Sequence, residues 1–306
     1  MTTLLPAVLP VGLIILIGFI VGRTLTLQRS TLSQLTLYTL SPALIVDSLY
    51  RTELSVTSSS KLIVGFTLIS SVIYSLVWLV SRLTSLDSVL SRTITAIVLF
   101  PNTGNMGLPV ATFALGTAGL DRAIVYMLGS SVLMFCFGPA IIQGKGIISG
   151  LKLTLRLPLF WAIILGLSLR ILAIKLPWGL DRGIQQLGAA AIPVDLILLG
   201  MQLAATRFQL GIREILTAMP MASSAIARLA IAPIIAYIIG YCLQLETLDL
   251  QILVLQSAMP TAVSSLVLVS EFGGDQNLVA RAIVTSTLLS FITLPILLSL
   301  LFTLSS

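Results

Sequence analysis

The residues best equipped for chemistry lie in the most apolar surroundings. The stretch from Thr93 reads TITAIVLFPNTGNMGLPVATFALG, and its centre packs Pro101, Asn102, Gly104, Asn105, Gly107 and Pro109 into nine residues. A second stretch reads QILVLQSAMPTAVSSLVLVSEFGG, with Pro260 set among Gln256, Ser257, Thr261, Ser264 and Ser265. Proline removes an amide donor and clashes with the preceding turn, and glycine favours an unwound backbone, so neither stretch reads as one continuous helix. A break in mid-membrane frees backbone N–H groups and presents the positive end of a half-helix dipole. Asn and Gln add amide donors that carry no charge. Lys, Arg, Asp and Glu are absent from both cores. This set suits the recognition of anionic oxygens by dipoles and amides instead of by a salt bridge. Asn102, Thr103, Asn105, Gly107, Gln256, Thr261 and Ser264 are therefore the candidate substrate contacts, with Pro101, Gly104, Pro109 and Pro260 as the helix-breaking residues.

Other chemistries lack their residues. His is absent, which removes imidazole as base, proton relay or metal ligand. Cys136 and Cys242 lie within apolar runs and read as small buried hydrophobes. There is no phosphate-binding loop motif, and the 11 Asp and Glu residues form no cluster suited to a metal or to a paired acid and base. No enzyme, cofactor or metal site is expected. Asp195 and Arg228 are the two ionisable residues near the middle of predicted spans, where each costs about 2.5–3.5 kcal/mol on insertion scales. In one reading Asp195 is a coupling proton site or Arg228 attracts the anion. In the other they form an ion pair that fixes adjacent helices.

A membrane fold must position these groups. The set AVILMFWYC makes up 57% of the 306 residues and DEKR only 9%, with a mean hydropathy of +1.10, whereas a soluble protein has about a quarter of its residues charged. At about 20 residues per span, the chain reads as an all-α polytopic membrane protein of ten transmembrane helices. They are expected near 4–22, 32–50, 61–80, 93–115, 120–142, 158–175, 184–204, 216–242, 250–270 and 278–303. The net charge of +6 is scattered over the loops without a basic patch, so no nucleic acid partner is implied. Ten Lys and Arg residues fall in the odd-numbered loops and six on the opposite side. By the positive-inside rule, both termini lie outside the cytoplasm.

The prolines suggest an internal repeat. Pro10 and Gly18 are 8 apart, as are Pro158 and Gly166, and Pro42 to Pro109 spans 67 residues, as does Pro193 to Pro260. Five spans per half, an odd number, would insert in opposite directions, the inverted repeat of secondary transporters. The halves are residues 1–142 and 158–306, joined by a short cytoplasmic linker at 143–157.

PNTGNMGLP resembles the crossover of the auxin efflux carrier family, which includes the plant PIN-FORMED carriers and bacterial relatives. QSAMPTAVSSLVLVSEFGGD is similar to that family's second crossover, and PLFWAIILGLSLRILAIKLPW and AAAIPVDLILLGMQLA resemble its sixth and seventh helices. The resemblance covers essentially the whole chain. It implies scaffold and transport domains each built from both repeats, crossed helices 4 and 9, elevator-type export of a small organic anion across the plasma (inner) membrane, and a homodimer. It makes Asn102 the substrate-contacting crossover Asn and Pro101, Pro109 and Pro260 the crossover prolines. Lys61 matches a support-site Lys, while Thr57 stands where plant carriers have Asp. A sodium-coupled organic-anion symporter of the bile-acid-carrier type is the alternative.

Overall fold

The computed structural model describes residues 5–52, 54–143, 155, 158–205 and 219–304. Regular structure among them is helical. Five stretches, Val56–Leu83, Thr103–Ile142, Pro177–Ala205, Met221–Cys242 and Gln276–Thr303, are long and apolar enough to cross a membrane. The first half comprises α1 (Leu5–Thr24), α2 (29–51), α3 (Val56–Leu83), α4 (Ser88–Leu99), α5 (103–115) and α6 (117–143). Gly116 separates α5 from α6 with φ 68° and ψ −163°, a conformation that only glycine adopts without strain. The second half comprises α7 (Pro158–Ile171), α8 (Leu180–Ala205), α9 (219–242), α10 (Thr247–Ser257), α11 (Ser264–Phe272) and α12 (Gln276–Leu304). The expected linker at 143–157 lies outside the described residues except for Gln143 and Leu155, as does the start of the span expected over 216–242.

Proline explains a recurring local feature. Four helices widen into a π-turn, at Thr36–Leu40, Thr103–Gly107, Leu133–Phe137 and Ala227–Ile231. Pro42, Pro109, Pro139 and Pro233 each stand two residues beyond the end of one of these turns. A proline ring clashes with the carbonyl one turn back and offers no N–H to it. One extra residue in the turn relieves both conflicts, so the helix continues past the proline. Pro109 accordingly sits in the first turn of a continuing helix. The break itself lies at residues 100–102, and the expectation that Pro109 interrupts the helix is corrected.

Two groups of helices share two apolar clusters. α1 lies along α8, and α2 packs on both α7 and α8. Small residues permit these close crossings. A Cβ on Gly18 would strike the Ile197 backbone, one on Gly200 would strike Ile15 and Phe19, and one on Gly166 would meet Val46 and Leu49. These four helices share their cluster with Met106, Ile124, Leu255 and Met259. The second cluster joins α3, α4, α6, α9, α10, α11 and α12, through residues such as Phe66, Phe100, Tyr126, Leu253 and Val269. The two interrupted stretches lie where the clusters meet. Cys136 is buried as expected, but Cys242, the last residue of α9, is exposed.

Candidate functional site

Both expected breaks are present, and they are bonded to each other. Between α4 and α5 the chain extends through Phe100–Asn102, and between α10 and α11 it extends around Pro260–Thr261. The extended pieces form an antiparallel bridge between Pro101 and Thr261. The Asn102 N–H donates to the Pro260 carbonyl at 2.7 Å, and the Ala262 N–H donates to the Phe100 carbonyl at 2.9 Å. Much of the backbone that the breaks release is thus consumed in joining them. The expectation of open backbone donors is corrected for these two groups, in line with the cost of leaving buried amides unpaired.

Side chains from α11 and α12 complete the joint. The Thr261 hydroxyl donates to the Ile97 carbonyl and the Ser265 hydroxyl to the Ala96 carbonyl, each at 3.1 Å. Thr261 is therefore committed to the last turn of α4. Its own N–H donates to Ser286 Oγ at 3.1 Å. Ser286, Thr287 and Ser290 form a buried polar stripe on α12, and Ser290 Oγ reaches Met106 Sδ at 3.8 Å. Sequence reading missed this stripe, although the run TSTLLS at 285–290 in an otherwise apolar helix carried the signal.

Among the buried polar atoms left unpaired here, beside Thr287 Oγ1 and Arg228 Nε, are those of two side-chain amides. Asn102 is 5% exposed and its Nδ2 has no hydrogen-bond partner. Gln256 is fully buried, and neither its Nε2 nor its Oε1 has one. Gly107 lies directly against the Gln256 amide, with no room for a Cβ between them. Thr103 is buried, Asn105 and Gly104 are partly buried, and Ser264 is exposed. A buried unsatisfied polar group costs about 1–3 kcal/mol. Both carboxamides flank the joint between the two interrupted stretches.

The remaining candidates lie elsewhere. Lys61 Nζ donates to the Gln244 carbonyl at 3.1 Å, which places it at the loop between α9 and α10, and Thr57 is exposed. Asp195 and Arg228 are both buried, yet they are not among the ion pairs of the described residues. The ion-pair reading of these two is thereby corrected. Arg228 projects from the π-turn of α9 and donates through Nη1 to the Val98 carbonyl at 2.6 Å and through Nη2 to the Ser257 carbonyl. Asp195 Oδ1 has no partner, and the π-turn packed on α8 contributes a second unpartnered group, the Thr36 hydroxyl. A lone carboxylate among helices is costly. Asp195→Asn is therefore expected to raise the melting temperature in detergent. A lower melting temperature would mean that the carboxylate has a stabilising role.

A polar cavity of about 650 Å³ opens between the two helix groups. Asp47, Ser48 and Arg51 of α2, Asp121 and Arg122 of α6, Gln185 of α8 and Glu246 line it. Ser48 Oγ donates to Asp121 Oδ1 at 2.6 Å across the gap, Arg51 joins Asp47 and Asp181 at 2.7 and 3.0 Å, and Arg122 pairs with the buried Asp249. A second, apolar cavity of about 910 Å³ lies among α2, α3, α6 and α7. Asn102 and Gln256 line neither.

Comparison with known proteins agrees with this picture of a membrane carrier. A family model described as membrane transport protein matches residues 3–147 and 146–298. A protein of Methanothermobacter thermautotrophicus described as an uncharacterized transporter is 32% identical over 300 residues, covering 94% of this chain and 95% of its own. Another uncharacterized transporter, from Methanocaldococcus jannaschii, is 28% identical over 199 residues, 63% of each chain. The chain belongs to the membrane transport protein family, in keeping with its likeness to the auxin efflux carriers.

Proposed function

We propose that this multi-pass membrane protein is a secondary transporter exporting a small organic anion, a carboxylate such as an auxin or a dicarboxylate. The observation that carries the reading is the pair of buried, unpartnered amides, Asn102 and Gln256, at the joint of two interrupted helices. Both can donate to a carboxylate, and the heads of α5 and α11 add the positive ends of half-helix dipoles. Among the described residues no carboxylate stands at the joint to compete. A sodium site would need several oxygen ligands, and acidic ones are missing there, which disfavours the sodium-coupled alternative.

The architecture proposed for this transport is ten spans in two inverted five-helix repeats, working as a homodimer in the plasma membrane with both termini outside. Paired contacts support the repeat. Gly18 of α1 meets Ile197, four residues after Pro193, and Gly166 of α7 meets Val46, four residues after Pro42. The same crossing thus occurs twice with the partners exchanged. An elevator-type movement would slide the α3–α6 and α9–α12 group against α1, α2, α7 and α8, and the polar cavity lies along that boundary.

The test is flux in proteoliposomes reconstituted with the full chain. Labelled carboxylate is expected to leave saturably and at equal rates in sodium and choline media. Flux that tracks sodium favours the symporter, and the absence of saturable movement for any of a panel of aromatic carboxylates and dicarboxylates overturns the anion reading.

A further inference from the structure

Two half-helices, α4 and α10, end at the joint, and one side chain serves both ends. Val98 lies in the last turn of α4, and Ser257 is the last residue of α10. Each carbonyl accepts from a different nitrogen of the Arg228 guanidinium. Arg228 is 1% exposed, and no carboxylate among the described residues pairs with it. A buried cation without a counter-ion is among the costliest features that a membrane protein can carry. Its charge must therefore be balanced by what it touches, and what it touches is helix ends.

Each helix C-terminus carries about half a negative charge and each N-terminus about half a positive one. Two interrupted helices bring two ends of each sign to the joint, and left alone these cancel, so the site would prefer neither anions nor cations. One guanidinium across the two negative ends compensates them, leaving the heads of α5 and α11 as a net positive field at the buried amides.

We propose that Arg228 is a built-in cation, a positioning residue that ties α4 and α10 together and gives the joint its preference for anions without a bound metal ion. This deepens the transport reading above and rests on it for substrate class. The planar fork matters, because two nitrogens reach two carbonyls on different helices. Lysine carries the same charge but only a single ammonium point. Arg228 lies within the π-turn at Ala227–Ile231, which precedes Pro233.

The experiment compares wild type, Arg228→Ala and Arg228→Lys, each purified as the full chain in detergent and also reconstituted. Wild type is expected to melt at the same temperature in sodium and in choline chloride. Arg228→Ala should melt lower, and millimolar guanidinium chloride should raise its melting temperature and partly restore its carboxylate flux while leaving wild type unchanged. Arg228→Lys should be recovered folded, with KM for the carboxylate raised at least about tenfold, equivalent to about 1.4 kcal/mol. Where Arg228→Ala cannot be recovered folded, Arg228→Lys decides: wild-type melting and KM overturn the proposal. Equal guanidinium effects on wild type and Arg228→Ala overturn it, as does saturable stabilisation of wild type by sodium. A wild type that moves no carboxylate, while Arg228→Ala alone is stabilised by guanidinium, sinks the substrate reading and leaves the built-in cation standing.

Discussion

Asn102→Ala is expected to lower carboxylate flux by between about tenfold and a hundredfold, the loss of one hydrogen bond to a charged group. The fold should survive the change. Asn102 Nδ2 makes no hydrogen bond within the protein, whereas the backbone N–H of the same residue holds the Pro260 carbonyl, and alanine retains that N–H. The melting temperature should therefore stay close to that of wild type while transport falls, a separation that a structural role for the side chain would not produce. Asn102→Asp is the sharper variant. It is nearly isosteric but replaces a donor with an acceptor that repels the substrate, so it should lose at least as much flux as alanine. Wild-type flux in Asn102→Ala, measured in proteoliposomes at matched protein content, would remove Asn102 from the site.

Much of this could be read from residue types alone. Pro101 and Pro260 mark where a helix is interrupted, because proline's backbone chemistry acts locally, and the structure has breaks at both stretches, whereas Gly104 and Gly107, read as part of the same break, lie within the π-turn that opens α5. The buried amides at these places were equally legible, since Asn and Gln in an apolar run need a reason to be there. What sequence could not supply was the partner of each freed group. Pairing Asn102 with Pro260 and Phe100 with Ala262 depends on two segments about 160 residues apart meeting in one register, and no local pattern encodes that. Pro109 and Pro260 looked alike in sequence, yet Pro109 follows a π-turn within a continuing helix and Pro260 stands at a true break. Arg228 shows the same limit. Its cost in the membrane announced that something must answer it, and a carboxylate, Asp195, was the obvious choice by charge. Helix-end carbonyls answer it instead, and these carry no signature in the side-chain sequence. The stripe Ser286, Thr287 and Ser290 was overlooked for a simpler reason, since hydroxyls spread through an apolar helix resemble ordinary helix-contact residues.

Gly107→Ala tests the site from the opposite direction, by adding one carbon. Gly107 has φ −65° and ψ −44°, helical values open to any residue, so only space requires glycine there. That space is taken by the Gln256 amide, which a Cβ would overlap. Gln256 is fully buried, and an extra methyl group in a packed interior costs about 1–3 kcal/mol when the neighbour cannot yield. The variant is expected to melt lower and to lose most of its carboxylate flux, since the displaced amide is one of the two proposed donors. The double variant Gly107→Ala with Gln256→Ala removes the overlap by opening room beside the new methyl group. The melting temperature should then recover toward that of Gln256→Ala alone, a non-additive result of the kind expected for residues in contact. Flux should not recover, because the amide itself is gone. Recovery of both would make Gln256 a packing residue and leave Asn102 as the proposed donor. A Gly107→Ala protein with wild-type melting and flux would contradict the packing of Gly107 on Gln256, and with it the geometry on which the proposed site is built.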